Sequence, residues 1–206
     1  MVRQDEASTK DRIMQVAAKM FSERGYDRVS TREIAKAIGI NSASIYYYFP
    51  SKEDILVSLY RFYSEQRSKE CPDLGELLRL AETDPPHEVL MKSEFHYNYE
   101  IMEFLDQILV TAARMYGTDV ESEQFIRDNI FGPIIGILKP LLERMVDLGK
   151  IKPFDINTFI GILSYYCFGV AALNNSSFGQ DVAHYQSAMS YLYSMIVPVE
   201  EGKGNF

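Results

Sequence analysis

The 206-residue sequence predicts an all-α chain, with a three-helix N-terminal unit followed by a larger helical part. Three observations lead there. Apolar residues recur at i, i+3, i+4 and i+7 in one segment after another, the spacing of helices with one buried face. A hydroxyl residue precedes an acidic one by three positions at Ser8/Asp11, Ser30/Glu33, Ser51/Asp54 and Thr118/Glu121, the capping-box mark of a helix start. Alternating apolar and polar runs, which would mark half-buried strands, do not occur, nor do internal repeats or low-complexity segments.

After a loose arm at 1–7, Ser8 should cap a first helix whose buried face is Ile13, Val16, Ala17, Met20 and Phe21 and whose stop is Gly25. Val29 closes over the same small core. The next helix starts at Thr31, buries Ile34, Ala35 and Ile38, and ends at Gly39, a residue free to turn left-handed. Ile40 plugs the turn, and Asn41 caps a short helix that ends before Pro50. Two short helices about a glycine-containing three-residue turn form the helix-turn-helix pattern.

The outer face of that second short helix is unusual. With Ile45 and Phe49 inward, Ala43 and Tyr47 fall at the centre of the outer side, flanked by Ser44 and Tyr46. Consecutive exposed tyrosines are costly to solvate unless they meet a partner. A tyrosine ring can contact a thymine methyl, and its hydroxyl can reach a phosphate. The small residues Ser42, Ala43 and Ser44 would let the helix start sit deep in a major groove. The candidate contacts with double-stranded DNA are therefore Thr31 and Arg32 at a phosphate-facing helix start, Ser42, Ala43, Ser44, Tyr46, Tyr47 and Tyr48 on the outer face, and Lys52 at the next helix start. The bland alternative is a helical hairpin with its tyrosines in a core.

The run I-Y-Y-Y-F-P-S-K-E-D-I-L, placed after T-R-E-I-A-K-A-I-G-I, resembles the DNA-binding domain of the tetracycline-repressor (TetR) family. Members commonly show Tyr, Phe three on, then Lys-Glu three further, matched here by Tyr46, Phe49, Lys52 and Glu53. The resemblance covers about residues 9–56, with Tyr48 standing where histidine is frequent. It implies a helix-turn-helix domain at 1–52, a helical effector-binding and dimerisation domain at 53–198, and a tail at 199–206. It implies a ligand-responsive repressor that binds a palindromic operator as a dimer and is released by a small molecule.

In the body, a helix should run from Ser51 to about Arg67 on Ile55, Leu56, Leu59, Phe62 and Tyr63. Cys71-Pro72 breaks the pattern. Helices are expected at 73–81, 87–99, 101–116 and 120–131, with a kink or break at Gly132-Pro133, a further distortion at Lys139-Pro140 and a stop at Gly149. Two more follow at 155–174 and 181–197, capped by Asp155 and Asp181. Both mix small and bulky residues, which permits close helix approach, and the resemblance implies that they pair across a homodimer. Aromatic and Met side chains could line a pocket between helices, and the resemblance implies such an effector site. Its candidates are Phe62, Tyr63, Phe95, Tyr99, Met102, Met115, Tyr116, Tyr165 and Tyr166, with Tyr97, Phe104 and Phe168 beside them. They suit a hydrophobic or aromatic effector.

The net charge of −8 argues against nucleic acid only when read globally. Residues 1–69 hold 12 Lys/Arg against 9 Asp/Glu, and residues 70–206 hold 9 against 20. A mildly basic head on an acidic body suits a protein that meets DNA with one end. It disfavours a nonspecific architectural DNA coat. A helical enzyme is the other rival, but no G-x-S-x-G, P-loop, H-E-x-x-H or nucleotide-binding glycine run occurs. His96 and Glu100 share a helix face but lack further ligands, so no metal or cofactor is expected. Two distant cysteines, no secretory leader and no membrane-length apolar run point to a cytoplasmic protein.

Overall fold

The computed structural model describes residues 8–70, 73–93, 102–173 and 182–197. The expected arm and tail, Cys71, the Asp181 cap, Phe95, Tyr97, Tyr99, His96 and Glu100 lie outside the described residues, as does the Met102 side chain. Among the described residues every regular element is helical. No helix there is long and apolar enough to cross a membrane, and no cluster of three His, Cys, Asp or Glu side chains could hold a metal.

The head follows the local signals. Helix α1 (Thr9–Arg24) opens on a capping box in which Ser8 Oγ accepts from the Asp11 amide at 3.2 Å and Asp11 accepts the Ser8 amide at 3.2 Å. A 3₁₀ turn (Tyr26–Arg28) leads to α2 (Thr31–Ile38), whose box pairs Ser30 with Glu33. Gly39 takes φ 74°, a left-handed value that L side chains resist, and passes the chain to Asn41, which caps α3 (Ser42–Tyr48). Helix α4 (Lys52–Glu70) starts where the Ser51 hydroxyl accepts from the Asp54 amide at 3.0 Å.

The buried face of α1 is wider than the expected stripe. Ile13, Ala17 and Phe21 are buried as expected, but so are Met14, Ala18 and Ser22, while Val16 and Met20 lie half-buried at its edge. The cause is a second neighbour. Helix α1 packs on α2 and α4, and also on α7 (Met102–Met115) of the body. The Arg114 guanidinium of α7 donates to the Ser22 carbonyl at that contact.

The body continues with α5 (Leu74–Thr83), α6 (Pro86–Ser93), α7, α8 (Val120–Ile126), α9 (Lys139–Asp147), α10 (Ile156–Leu173) and α11 (Val182–Ser194). Two local expectations are corrected. The cap of α8 is Asp119, which accepts from the Ser122 amide at 2.7 Å, and not Thr118 with Glu121. Thr118 is spent on the end of α7, where its hydroxyl donates to the Met115 carbonyl at 2.8 Å. At Gly132-Pro133 the chain does not break, since both residues keep helical dihedrals. The ladder widens instead into π-turns at Arg127–Phe131 and Ile134–Leu138, where Gly132 and Lys139 donate to carbonyls five residues back. Pro133 and Pro140 lack amide donors, and widened turns accommodate the bonds they cannot make.

The first apolar core is continuous from head to body. It joins Ile13, Phe21, Ile34, Ile45 and Phe49 to Leu59 and Tyr63 of α4, Ile108 of α7 and Phe125 of α8. A second core gathers α5, α6, α9, α10 and α11 around Leu77, Leu90, Leu141, Met145, Leu163 and Tyr193. A head of roughly 50 residues buries too little surface to be robust alone. Sharing its core with α4, α7 and α8 stabilises it and ties its orientation to theirs.

Candidate DNA-binding surface

Helix α3 is fixed by two side chains and presents the others. Ile45 is 0% and Phe49 2% exposed, whereas Tyr46, Tyr47 and Tyr48 are 53%, 85% and 36% exposed. The tyrosine face therefore looks outward, which excludes the buried-hairpin alternative. Ser42 lies half-buried at its start, and Ala43 and Ser44 are exposed. Tyr47 and Tyr48 meet edge to face at 5.1 Å, so each ring limits the other's rotamers. The Tyr46 hydroxyl lies 3.1 Å from Thr31 Oγ1 and links the outer face of α3 to the first residue of α2.

Beside that link an open groove of about 490 Å³ is bordered by Asp27, Arg28, Val29, Ser30, Thr31, Tyr46, Pro50, Ser51 and Lys52. The Glu33 amide is taken by the Ser30 cap, while the Thr31 and Arg32 amides have no acceptor within the helix. The helix dipole adds positive potential there. Arg32 is exposed on the same turn. The groove thus sets hydroxyls, helix-start amides and the cations Arg28 and Lys52 beside the Asp27 carboxylate, and its amides and cations are partners a phosphate can use.

Several cations of the head serve inside it. Lys52 Nζ donates to the carbonyls of Tyr26 at 3.1 Å and Val29 at 3.2 Å, and sits 4.0 Å above the Tyr26 ring. Two of its three N–H donors are spent there. Arg12 donates to the Ile38 carbonyl at 2.9 Å, where a cation also complements the C-terminal end of α2. Lys10 lies 5.6 Å from the centre of the Phe49 ring. Arg24 pairs with Glu33 at 2.5 Å and donates to the Arg28 carbonyl at 3.3 Å. The hydrogen bond from Arg24, with those from the Ser30 amide and hydroxyl, lowers the Glu33 carboxyl to about 2. Burial, then the charges of Glu53, Asp119 and Asp27, pushes the Tyr26 phenol up to about 12. The partners of Lys52 and Arg12 are backbone carbonyls more than twenty positions away, so no local pattern could reveal these braces.

Among the described residues, the candidate effector side chains fall in different surroundings. Tyr63 is a core residue, 1% exposed and edge-on to Phe125 at 5.0 Å, because it lies on the α4 face covered by α8. Tyr165 is 79% exposed, since it shares the outward stripe of α10 with Ile162. Phe62 packs on Phe104 at 5.2 Å, and Tyr116 meets Phe168 at 5.2 Å and Phe131 at 6.4 Å. Met115 is half-buried at the first core and Tyr166 half-buried at the second.

Comparison with known proteins agrees with this geometry. Residues 13–59 match the family described as "Bacterial regulatory proteins, tetR family". The chain is 30% identical over 147 residues to the biofilm operon icaADBC HTH-type negative transcriptional regulator IcaR of Staphylococcus aureus, covering 69% of this chain and 72% of the relative. It is 30% identical over 149 residues to the HTH-type transcriptional repressor NicS of Pseudomonas putida, covering 69% and 66%. Two solved structures share the fold. Ketosteroid transcriptional regulator KstR2 of Mycobacterium tuberculosis has TM-score 0.65 and 19% identity, covering 97% of this chain and 100% of its own. A transcriptional regulator of Saccharomonospora viridis in complex with choline has TM-score 0.64 and 20% identity, covering 92% and 98%. The chain belongs to the tetR family of bacterial regulatory proteins and is a helix-turn-helix, DNA-binding transcriptional regulator.

Proposed function

We propose that the chain is a homodimeric repressor that binds a palindromic operator and is released by a small hydrophobic or aromatic effector. The observation that carries the DNA-binding half is the outward tyrosine face of α3, joined by Tyr46 to the start of α2. In this reading Ser42, Ala43 and Ser44 let α3 enter the major groove, and Tyr47, buttressed by Tyr48, meets base edges. Thr31, Arg32 and Tyr46 hold one phosphate, and the remaining N–H of Lys52 meets the same strand. The relatives IcaR and NicS are a negative transcriptional regulator and a transcriptional repressor, which supports repression as the role here.

Dimerisation is supported by the exposed apolar stripes of the last two helices. Ile162 and Tyr165 of α10, with Tyr191 of α11 and Met195 just beyond it, are each at least half exposed. A two-fold dimer sets half-sites about one helical turn apart, ~34 Å, or a multiple of that. The Phe62–Phe104 and Tyr116–Phe131–Phe168 groups, together with Phe95, Tyr99 and Met102, are the proposed effector wall. The choline bound by the S. viridis regulator is a small organic cation of the kind that aromatic faces attract. An effector that prefers a dimer with wrongly spaced heads lowers DNA affinity through its differential affinity for the two states.

The test selects bound sequences from a random DNA pool and then compares variants on the selected site. Recovery of a palindrome, with weaker binding by Tyr46→Ala and Lys52→Ala and altered base preference by Ala43→Leu, is the expected result. Equal binding to random and selected DNA favours an architectural role instead. Unchanged binding in all three variants refutes the assigned surface.

A further inference from the structure

From the first core outward, α4 and α8 meet through a hydrogen-bond chain that ends on the half-buried Asp119 and that the DNA contacts do not use. Tyr60 of α4 is 6% exposed and stacks on Phe125 of α8 at 4.4 Å. Its hydroxyl lies 2.7 Å from Ser122 Oγ, and Ser122 is 0% exposed. Ser122 donates its own hydroxyl proton to the Asp119 carboxylate, which also accepts the Ser122 amide at 2.7 Å. A serine hydroxyl has one proton. With that proton on Asp119, Tyr60 must be the donor to Ser122. The chain therefore has one direction, Tyr60 to Ser122 to Asp119, and it ends on the residue that caps α8.

On the head side, α4 begins with Lys52, which holds the Tyr26 and Val29 carbonyls next to the start of α2. On the body side, α8 runs straight into the π-turns at Arg127–Phe131 and Ile134–Leu138. Phe131 lies in the aromatic group with Tyr116 and Phe168. A π-turn differs from an α-turn by one residue of register, so converting one into the other would be a discrete step rather than a gradual one. Conversion of one to the other would shift or rotate α8 relative to α9.

We propose that the buried hydroxyl chain Tyr60–Ser122–Asp119 is the joint through which the π-turn segment 127–138 sets the position of α4, and hence of Lys52 and the DNA-reading helices. The joint rests on the reading of the head as the DNA-binding end. Tyr60, Ser122 and Asp119 are positioning residues that never touch DNA. With the joint intact the head is held in one orientation before binding, and less freedom is lost when two heads dock together. Breaking it leaves the head folded but loosely aimed.

The test uses the full chain with Tyr60→Phe and Ser122→Ala, each of which deletes one hydroxyl, and Phe125→Leu, which loosens the packing on Tyr60 but removes no hydroxyl. Amide hydrogen exchange is followed across 26–30, 52–56 and α10, and affinity is measured on the selected operator. Both hydroxyl variants should exchange roughly fivefold faster at 26–30 and 52–56, with α10 unchanged, and lose roughly fivefold in affinity, the worth of one buried hydrogen bond. Phe125→Leu should not reproduce this selective pattern. Exchange within twofold of wild type in both hydroxyl variants overturns the joint. So does the same pattern in Phe125→Leu, or acceleration spread evenly over the molecule. If the wild type fails to prefer the selected operator over random DNA of equal length, the operator reading fails, while the exchange comparison still decides the joint.

Discussion

Lys52 shows how one side chain can serve two purposes at the residue scale. Its ammonium joins two carbonyls and an aromatic face, and so adds to the Arg24 bond and the Phe21 contact that also hold the 3₁₀ turn. Replacing it by methionine keeps the stem and removes the charge. Lys52→Met should lower unfolding free energy by about 2 kcal/mol, the scale of charge-assisted hydrogen bonds, and urea denaturation measures it. A variant as stable as wild type would mean that the brace is idle. Ser30 contributes through the α2 cap, and Ser30→Ala should cost about 1 kcal/mol in the same assay. Glu33, the other half of that box, gives a pH dependence of defined sign. Its folded pKa of about 2 lies below the ordinary 4.5. The carboxylate therefore stabilises the fold fully above pH 4.5, and that contribution drains away as pH falls toward 2. Melting temperature should drop less steeply over this window in Glu33→Gln than in wild type. Because the Arg24–Glu33 pair is exposed, added salt should shrink the difference.

Helix α3 is too short to persist in water on propensity alone. It exists because Ile45 and Phe49 anchor it to α1, α2 and α4, so its tyrosine face is only as firm as those anchors. Ile45→Ala should cost about 3 kcal/mol and abolish operator binding while leaving every outer-face side chain in place. Calorimetry and a gel shift on the same sample separate the two effects. The head was legible in the sequence because its determinants are local: capping residues three apart, a glycine at the turn, anchors four apart. The outward turn of Tyr46, Tyr47 and Tyr48 follows from those anchors by helix geometry alone. The internal use of Lys10, Arg12 and Lys52 was not legible, because it depends on carbonyls and rings that folding brings close. The π-turns were half legible. Gly132-Pro133 announces a disturbed ladder, but whether the ladder breaks or widens depends on the packing around Phe131 and Leu138. The aromatic set was least legible. Composition cannot say that Tyr63 turns into the core while Tyr165 turns out, since that depends on which face each neighbouring helix covers.

The whole molecule has charge and apolar surface at opposite duties. The head carries the positive excess, and the body carries the acidic excess together with the uncovered apolar stripes of α10 and α11. An acidic body repels DNA, so a bound head should be oriented with the body away from the duplex. Exposed Ile162, Tyr165, Tyr191 and Met195 are unfavourable in a monomer, and a second copy of the same stripes would cover them. Placing a charge at that seam should separate the copies without disturbing the distant head. Tyr165→Glu should weaken self-association by about 3 kcal/mol, the order of an uncompensated buried charge, or roughly a hundredfold in the dimer dissociation constant. Sedimentation velocity at micromolar concentration should then show monomers where wild type shows dimers. Operator affinity should fall steeply, because two linked heads lose their mutual effective concentration, while binding of a single half-site stays as in wild type. A Tyr165→Glu protein that remains dimeric would remove α10 from the interface, and one that is monomeric yet binds the full operator normally would separate dimerisation from DNA recognition altogether.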